Sequence, residues 1–291
     1  MKRRGFLLGA AAFAALPAAA AERFSRGLLW RVRRPGVEPS HVFGTLHAAD
    51  ARLAELPAPA RRAFDGSRSL MLEYVADAYG KVRFLEAAMF LDQRTLEQTI
   101  GTEDFELAFT QLRPAGLSRE FVNKMKPWGV LLNLRSSWDP TAHATPDDQL
   151  QALALARRMP VTQIEETEEQ IFTFDELPLA SQVALLRHGL AHQAELAAVL
   201  ERTLRAYLAR DLAAIWRTQD EFALRQPGIA KHHAELVKRV VLDRSVVMAF
   251  RMQRELRRGC AFVAIGALHL YGANGVLALL EQDGYRAERV Y

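Results

Sequence analysis

The chain has 291 residues, 25% of them charged and 50% hydrophobic, with a formal net charge of +4 and one cysteine. A chain of this length can bury a full hydrophobic core, and a single cysteine excludes an intramolecular disulfide. The first residues, MKRRGFLLGAAAFAALPAAAA, are basic, then apolar, then small. This order predicts an export signal over residues 1–21, whose apolar part is too short to span a membrane.

The predicted signal also carries the pair Arg3-Arg4 before its apolar run, which favours a twin-arginine signal over an ordinary secretion signal. Cleavage after Ala21 would remove three of the 38 basic residues and none of the 34 acidic residues, leaving a net charge of +1. We therefore expect an exported, periplasmic protein with no stable membrane span in the mature chain. A charge so close to zero gives no reason to expect a nucleic acid partner.

Short apolar runs near both ends of the remaining chain predict β-strands. In chain order these are LLWRV and HVFGTLH around a Pro-Gly turn, then SLMLE, MPVTQIEE, CAFVAIGALH and YRAERVY. Helical spacing of apolar residues predicts helices at 57–66, 80–138 and 147–158, and almost throughout 179–258. The sequence thus predicts an α/β fold: a mixed central sheet of strands near both termini, flanked by helices, with a large helical middle region. No linker divides residues 22–291, which predicts a single domain.

Two of the predicted strands end in the same pattern, Gly-x-x-His, at residues 44–47 and 266–269. Continuous apolar runs are typical of strands buried on both faces, and ligands of open α/β sheets lie at the carboxyl ends of such strands. Glycine lets a metal, a substrate or another backbone approach closely. The pattern indicates one shared site for His47 and His269. The alternative is that each histidine only ends its strand and bonds to the backbone.

Three charged residues are candidates for the same site. Glu73 ends the apolar run LMLE, and Glu165 ends the strand predicted in PVTQIEE. A glutamate in such a position is costly to bury without a partner. Two imidazoles and a carboxylate can bind a divalent metal and leave one position open for water. Arg244 lies among apolar residues in VVLDRSVVMAF and is a candidate for a buried cation that pairs with these acids.

The other histidines give weaker signals. His188 and His192 in HGLAH have the i,i+4 spacing of a zinc motif, but Gly189 stands where that motif has its glutamate base, so we predict a helix surface. His232 and His233 are adjacent and are predicted to face solvent. The sequence contains no Gly-x-Ser-x-Gly elbow, P-loop or dinucleotide-binding glycine motif, which removes support for serine hydrolases, kinases and nicotinamide enzymes.

Six segments, in order, resemble the TraB/GumN family: HVFGTLHAAD, LMLEY, KPWGVLLNL, PVTQIEETEEQI, LDRSVVMAF and FVAIGALHLYGANGVLALLEQDGYRAERV. The resemblance covers about residues 27–291 and is most specific in the last segment. More distantly, the chain resembles the TIKI metalloproteases and the erythromycin-esterase and ChaN-like group. The resemblance implies a mixed α/β fold in which both Gly-x-x-His motifs face one cleft.

In TIKI-like relatives, the two motifs and an upstream glutamate are associated with divalent-metal-dependent peptide hydrolysis. The resemblance therefore implies that His47, His269 and Glu73 bind Mn²⁺, Co²⁺ or Zn²⁺ and act on a peptide or another small substrate. Glu73 is either a metal ligand or the general base. Glu165 matches a family glutamate and would support the metal. Arg244 matches a late arginine that would neutralise acids or stabilise an oxyanion.

Two further points stay open at this stage. The family often has asparagine after the late arginine, whereas this chain has Ser245, which leaves the hydrogen bonding around Arg244 undetermined. The same cleft also suits two other functions that relatives suggest. One is a non-catalytic periplasmic protein that binds a peptide or haem, since two histidines can ligate haem iron. The other is a metal-free esterase that uses histidine and glutamate.

Overall fold

A computed structural model describes residues 24–75, 77–135 and 144–291 of the chain. The predicted export signal at residues 1–21 lies outside the described residues, so the signal, its twin-arginine character and the periplasmic location remain predictions. The single-domain interpretation of residues 22–291 also remains a prediction. In the part of the chain that the structure describes, no helix is both long and apolar enough to cross a membrane.

The described strands form one six-stranded sheet in the order β4-β3-β5-β2-β1-β6. The strands are β1 Leu29–Arg34, β2 Val37–Thr45, β3 Ser69–Leu72, β4 Val161–Gln163, β5 Ala261–Gly266 and β6 Arg286–Arg289. The four strands from β4 to β2 pair in parallel, while β1 pairs antiparallel with both β2 and β6. The predicted mixed α/β sheet, built from strands near both termini, is confirmed.

The central strand β5 explains why its sequence is a continuous apolar run. Its residues from Ala261 to Ile265 are 0% exposed, because neighbouring strands flank it and other elements cover both faces. The ring of Phe64 meets the ring of Phe262 edge-on, with centroids 5.7 Å apart, and thus packs against this strand. Each large apolar side chain buried here contributes about 1.5–3 kcal/mol to stability.

Helices occupy most of the chain between the strands. They are α1 Ala58–Asp65, α2 Ala78–Ala87, α3 Leu96–Ile100, α4 Thr102–Leu112, α5 Arg119–Lys124, α6 Pro127–Arg135, α7 Pro146–Ala156, α8 Thr167–Asp175, α9 Leu179–Ala191, α10 Gln193–Leu208, α11 Leu212–Ala223, α12 Ala230–Val237, α13 Arg244–Leu256 and α14 Val276–Gln282. A π-helical turn, Lys238–Asp243, joins α12 to α13, and short 3₁₀ turns lie at Ala51–Leu53, Arg113–Ala115 and Ala267–Leu270. The predicted helical middle region is therefore present.

The apolar residues pack into two clusters. One surrounds the sheet and includes residues of α7, α13 and α14. The other is purely helical and joins residues of α4, α6, α9 and α10. Because the four parallel strands all run in one direction, their carboxyl ends lie at a single edge of the sheet.

Candidate functional site

The register of the parallel strands brings the two Gly-x-x-His motifs side by side. Thr45 at the end of β2 lies opposite Gly266 at the end of β5. His47 lies two residues after Thr45, just beyond the strand, and His269 lies in the 3₁₀ turn that follows Gly266. The two histidines are far apart in sequence, but they are delivered to one place because their strands are neighbours.

The two glutamates reach the same edge through β3 and β4. Glu73 follows β3, and its N–H donates to the carbonyl of Ala264 on β5 at 3.0 Å. Glu165 follows β4, and its N–H donates to the carbonyl of Glu73 at 3.1 Å. Both side chains are buried, with 6% of Glu73 and 3% of Glu165 exposed. The charged ends of these strands therefore lie inside the protein and need partners.

The carboxylate of Glu73 is the centre of the cluster. Its Oε2 atom lies 3.7 Å from Nε2 of His47 and 4.0 Å from Nε2 of His269. The same oxygen accepts a hydrogen bond of 2.8 Å from the backbone N–H of Gly266. His269 is buried, whereas about half of the His47 side chain is exposed to the open cleft. Both imidazoles thus direct the same ring nitrogen at one carboxylate oxygen.

The guanidinium of Arg244 joins the two glutamates. Its Nε donates to Oε1 of Glu165 at 2.9 Å, its Nη2 donates to Oε2 of Glu165 at 2.6 Å, and Nη2 also donates to Oε1 of Glu73. Arg244 is the first residue of α13, so the helix places it above the strand ends. The structure therefore brings together the cation and the two acids that the sequence suggested would pair.

Charge and burial set opposite pKa shifts in this cluster. Burial opposes ionisation of Glu73, but contact with His47 and the nearby charges of His269 and Arg244 outweigh it, so the pKa of Glu73 lies well below its usual range. Burial lowers the pKa of His269 to about 4, so that its imidazole is neutral at neutral pH. The guanidinium of Arg244 is partly desolvated but remains charged, because the two carboxylates raise its pKa.

Asp147 is a member of the site that sequence reasoning missed. Its Oδ2 lies 3.1 Å from Nδ1 of His47, and its Oδ1 accepts a hydrogen bond of 3.0 Å from the hydroxyl of Thr45. Burial lowers the pKa of His47, but the contacts with Asp147 and Glu73 raise it more, and the result lies well above the usual value. Asp147 looked like an ordinary acid at a helix start, because α7 begins at Pro146 after the cap residue Thr145. No sequence signal connected it to His47.

Ser245 lies next to Arg244 in the chain but contacts His269. Its hydroxyl donates to the carbonyl of Val241 at 2.7 Å, and its Oγ lies 2.9 Å from Nδ1 of His269. The side chain is completely buried. Arg244 instead donates to the carbonyl of Val240 and to the two glutamates. Ser245 therefore belongs to the surroundings of His269, and the carboxylate pairs of Arg244 form without it.

The two motif glycines have different physical roles. A Cβ on Gly44 would lie 2.8 Å from Cδ1 of Leu270 and 3.0 Å from Cα of Ala267, so this glycine lets the turn that carries His269 pack against β2. A Cβ on Gly266 would lie 3.3 Å from Oε2 of Glu73 and 3.7 Å from Nε2 of His47. Gly266 therefore leaves room within the cluster itself.

The cluster opens into a pocket of about 430 Å³. One wall is the first turns of α7, with Asp147, Asp148 and Gln151. The other wall includes Tyr74 and Phe174. The pocket is large enough for a few amino acid residues or a small organic molecule. Its lining combines acids, amides and aromatic rings with His47 and Arg244.

The sequence model of the TraB/PrgY/gumN family matches residues 28–289 of the chain. The chain belongs to this family. The resemblance carried by the six sequence segments is therefore confirmed over nearly all of the described residues. Searches of the curated proteins and of the solved structures found no match. Family membership alone assigns no reaction, metal or substrate to this TraB/PrgY/gumN protein.

The donor set of this family member fits a divalent ion in part. With metal–ligand bonds of about 2.1 Å, two donors on a tetrahedral ion are about 3.4 Å apart, and the measured 3.7 Å and 4.0 Å are somewhat longer. In metal-binding histidines, the ring nitrogen that does not bind the metal usually has a hydrogen-bond partner. Nδ1 of His47 and Nδ1 of His269 both have such a contact. However, no group of three or more His, Cys, Asp and Glu side chains among the described residues is already at ligand spacing. An ion would have to draw the donors together.

Glu165 does not fit as a direct ligand in this arrangement. Both of its oxygens accept hydrogen bonds from Arg244. The set that could hold an ion is therefore His47, His269 and Glu73. Glu165 would act indirectly, because it holds the guanidinium of Arg244, which in turn holds Glu73.

Four other histidines, His188, His192, His232 and His233, lie in the helical region. The prediction that His188 lies on a helix surface is wrong, because it is only 3% exposed and its Nε2 lies 3.0 Å from the carbonyl of Phe222. The solvent-facing prediction is also wrong for His233, whereas His232 is half-buried. Nδ1 of His232 lies 2.9 Å from the hydroxyl of Ser181, and the side chain of His233, which is 12% exposed, contacts Asp220. Apolar spacing alone did not show which helix faces would be covered.

Proposed function

We propose that this TraB/PrgY/gumN protein is a hydrolase of the metal-dependent, peptidase-like kind, and that its catalytic centre is the cluster of His47, Glu73 and His269. One observation carries the proposal: both Nε2 atoms lie within 4.0 Å of the same Oε2 atom of Glu73, at the base of an open pocket. A lone pair on each imidazole facing an anionic oxygen is a favourable arrangement only when a cation or a proton lies between them.

The charge balance of the cluster supports a cation. Glu73, Glu165 and Asp147 carry three negative charges, and Arg244 supplies one positive charge. With both histidines neutral, as metal ligation requires, these described residues have a net charge of −2, which one divalent ion would balance. The raised pKa of His47 has the same physical origin, since the negative potential that attracts a proton to its ring would also attract a metal.

Each residue then has a distinct task. A divalent ion held by His47, His269 and Glu73 would supply Lewis acidity that polarises a scissile carbonyl and makes water more acidic. Glu73 suits the ligand role better than the base role, because a carboxylate with a strongly lowered pKa is a poor proton acceptor. Arg244 lines the pocket and can stabilise negative charge that develops on the substrate.

A second candidate is a metal-free hydrolase, and the contact between Asp147 and His47 favours it. Nδ1 of His47 lies 3.1 Å from the carboxylate, while the rest of the ring faces the open pocket. At a pH high enough for the imidazole to be neutral, it takes a proton from the attacking water, and the carboxylate stabilises the resulting cation. The proton would leave His47 for the departing group in the second half of the reaction.

The test combines metal content with turnover. The purified protein would be analysed for Mn, Co and Zn, titrated with each ion by calorimetry, and screened against peptide and ester libraries with and without a chelator. We expect about one ion per chain and chelator-sensitive hydrolysis, both lost in His47→Ala and His269→Ala and unchanged in His41→Ala, a histidine elsewhere on β2. Glu73→Gln should keep the fold and lose activity.

The other outcomes separate the alternatives. Hydrolysis that persists in chelator but disappears in His47→Ala and Asp147→Asn would establish the metal-free reaction and overturn the metal site. Stoichiometric binding of peptide or haem without turnover in any condition would overturn both hydrolase proposals and leave a binding protein. We also propose that the protein is exported, on the pattern of residues 1–21. Fractionation of cells that express the full chain tests this.

A further inference from the structure

We infer that Ser245 is a positioning residue that fixes the ring proton of His269 on Nδ1, so that Nε2 presents its lone pair to the cleft. The inference concerns a residue to which neither the sequence motifs nor the family membership assigns a task. Only the use of Nε2 as a ligand or as a proton acceptor rests on the proposed function. The position of the ring proton itself can be measured whether or not the protein hydrolyses anything.

The geometry around Ser245 determines which atom donates to which. The hydroxyl oxygen lies 2.7 Å from the carbonyl oxygen of Val241. A carbonyl can only accept, so the single hydroxyl proton must lie between these two oxygens. The hydroxyl then has no proton left for His269, whose Nδ1 lies 2.9 Å away. Nδ1 must therefore donate its N–H to the hydroxyl oxygen.

The position of Val241 explains why the hydroxyl proton is committed in this way. Val241 lies in the π-helical turn Lys238–Asp243, where the regular pattern of helical hydrogen bonds is interrupted. Its carbonyl accepts the backbone N–H of Arg244 as well as the hydroxyl of Ser245. Arg244 and Ser245 are adjacent, but after this turn they reach different partners. Arg244 contacts the glutamates, and Ser245 contacts His269.

Without Ser245, the ring proton of His269 would be held only by the backbone of Val241, and the carboxylate of Glu73 would attract it to Nε2. Nε2 of His269 lies 4.0 Å from Oε2 of Glu73, and a carboxylate oxygen is an acceptor that attracts an N–H. A proton on Nε2 would block that nitrogen as a ligand or as a proton acceptor. The fixed hydroxyl acceptor at Nδ1 opposes this tendency. Ser245 thus keeps free the one atom of His269 that faces the cluster.

The test reads the tautomer directly. Protein labelled with ¹⁵N-histidine would be studied in chelator at neutral pH by long-range proton–nitrogen correlation, with the His269 signals assigned by their loss in His269→Gln. We expect a protonated Nδ1 and an unprotonated Nε2 in the wild type. In Ser245→Ala, the signals should move towards protonated Nε2, and in Ser245→Thr, which keeps a hydroxyl, they should stay near those of the wild type.

A matched control separates positioning from general loss of packing. Ser181 is also buried, and its hydroxyl also lies 2.9 Å from Nδ1 of a histidine, His232, in the helical region. Ser181→Ala should leave the His269 spectrum unchanged. If hydrolysis is found, Ser245→Ala should lower kcat about 10–100-fold with little change in KM, and Ser245→Thr should restore most of it.

Two results would overturn the inference. One is a wild-type spectrum with the proton on Nε2, which needs no variant and so does not depend on whether Ser245→Ala folds. The other is a folded Ser245→Ala protein whose His269 remains protonated on Nδ1 alone. The expected spectra in a protein that neither binds metal nor hydrolyses any substrate would refute the proposed function and leave this inference standing.

Discussion

The backbone N–H of Gly266 donates a hydrogen bond of 2.8 Å to Oε2 of Glu73, the oxygen that both imidazole Nε2 atoms face. This bond ties the end of β5 to the end of β3 and orients the carboxylate between the histidines. The glycine of one Gly-x-x-His motif thus contributes its backbone as well as its lack of a side chain. The consequences can be tested by small changes in and around the cluster.

Gly266→Ala should damage the cluster more than the fold. The added Cβ would lie 3.3 Å from Oε2 of Glu73 and 3.4 Å from Cδ2 of His269, so the carboxylate and the ring would have to shift by a few tenths of an ångström. We expect metal affinity or hydrolysis to fall by about 10–100-fold, because small displacements of reacting groups have large effects. Calorimetric titration or turnover measures this, and wild-type values would contradict it.

Gly44→Ala should damage the fold more than the cluster. Its Cβ would meet the backbone of Ala267 at 3.0 Å and the buried side chain of Leu270 at 2.8 Å. The turn would have to move away from β2, with a loss of about 1–3 kcal/mol in the free energy of unfolding. Urea denaturation compares this variant with Gly266→Ala. Equal stability of Gly44→Ala and the wild type would show that the turn adapts without cost.

Asp147→Asn should lower the pKa of His47, because it removes a negative charge 3.1 Å from Nδ1. Titration of His47 by NMR in chelator would show the change, and loss of an orienting partner should lower metal affinity or activity about 10–100-fold. Asp220→Asn is the matched control, since Asp220 contacts His233 at 2.9 Å in the helical region. A similar effect of both changes would mean that Asp147 has no special role.

Glu165→Gln should destabilise the protein markedly. In this variant Arg244 would still pair with the charged Glu73, but Glu165, its other buried partner, would have lost its charge. Breaking a buried ion pair costs about 3–5 kcal/mol. Glu169→Gln removes one partner of a more exposed pair with Arg251 and should cost less than about 1 kcal/mol. Chemical denaturation of both variants gives the comparison. Equal losses would argue against a special contribution of the buried pair.

The free energy of unfolding should fall as pH decreases from 6.5 towards 4. The pKa of His269 is about 4 in the folded protein and 6.5 ordinarily, so the unfolded chain binds more protons between these values. His269 contributes about 3 kcal/mol to the free energy of unfolding above pH 6.5, and this contribution is lost as the pH falls towards 4. Denaturation in chelator should show a shallower pH dependence for His269→Gln, which cannot titrate. Parallel curves for both proteins would exclude His269 as the cause.

Much of the site could be predicted because its residues follow buried strands. Continuous apolar runs are local features of the chain, and a histidine or glutamate that ends such a run must lie near the carboxyl end of a strand. His47, Glu73, Glu165 and His269 were found in this way. The family's six segments pointed to the same residues, and the mixed α/β sheet followed from the distribution of runs along the chain.

The amino-acid sequence by itself therefore determined the α/β class, the family and the set of side chains at the strand ends. Only the tertiary structure decided how they pair, because pairing depends on strand order and on helices distant in sequence. Asp147 reaches His47 from the start of α7, and Ser245 reaches His269 from α13. Arg244 engages both oxygens of Glu165, which removes that glutamate from the direct ligand set. Such contacts have no period or spacing in the chain, since they form between elements that packing alone brings together.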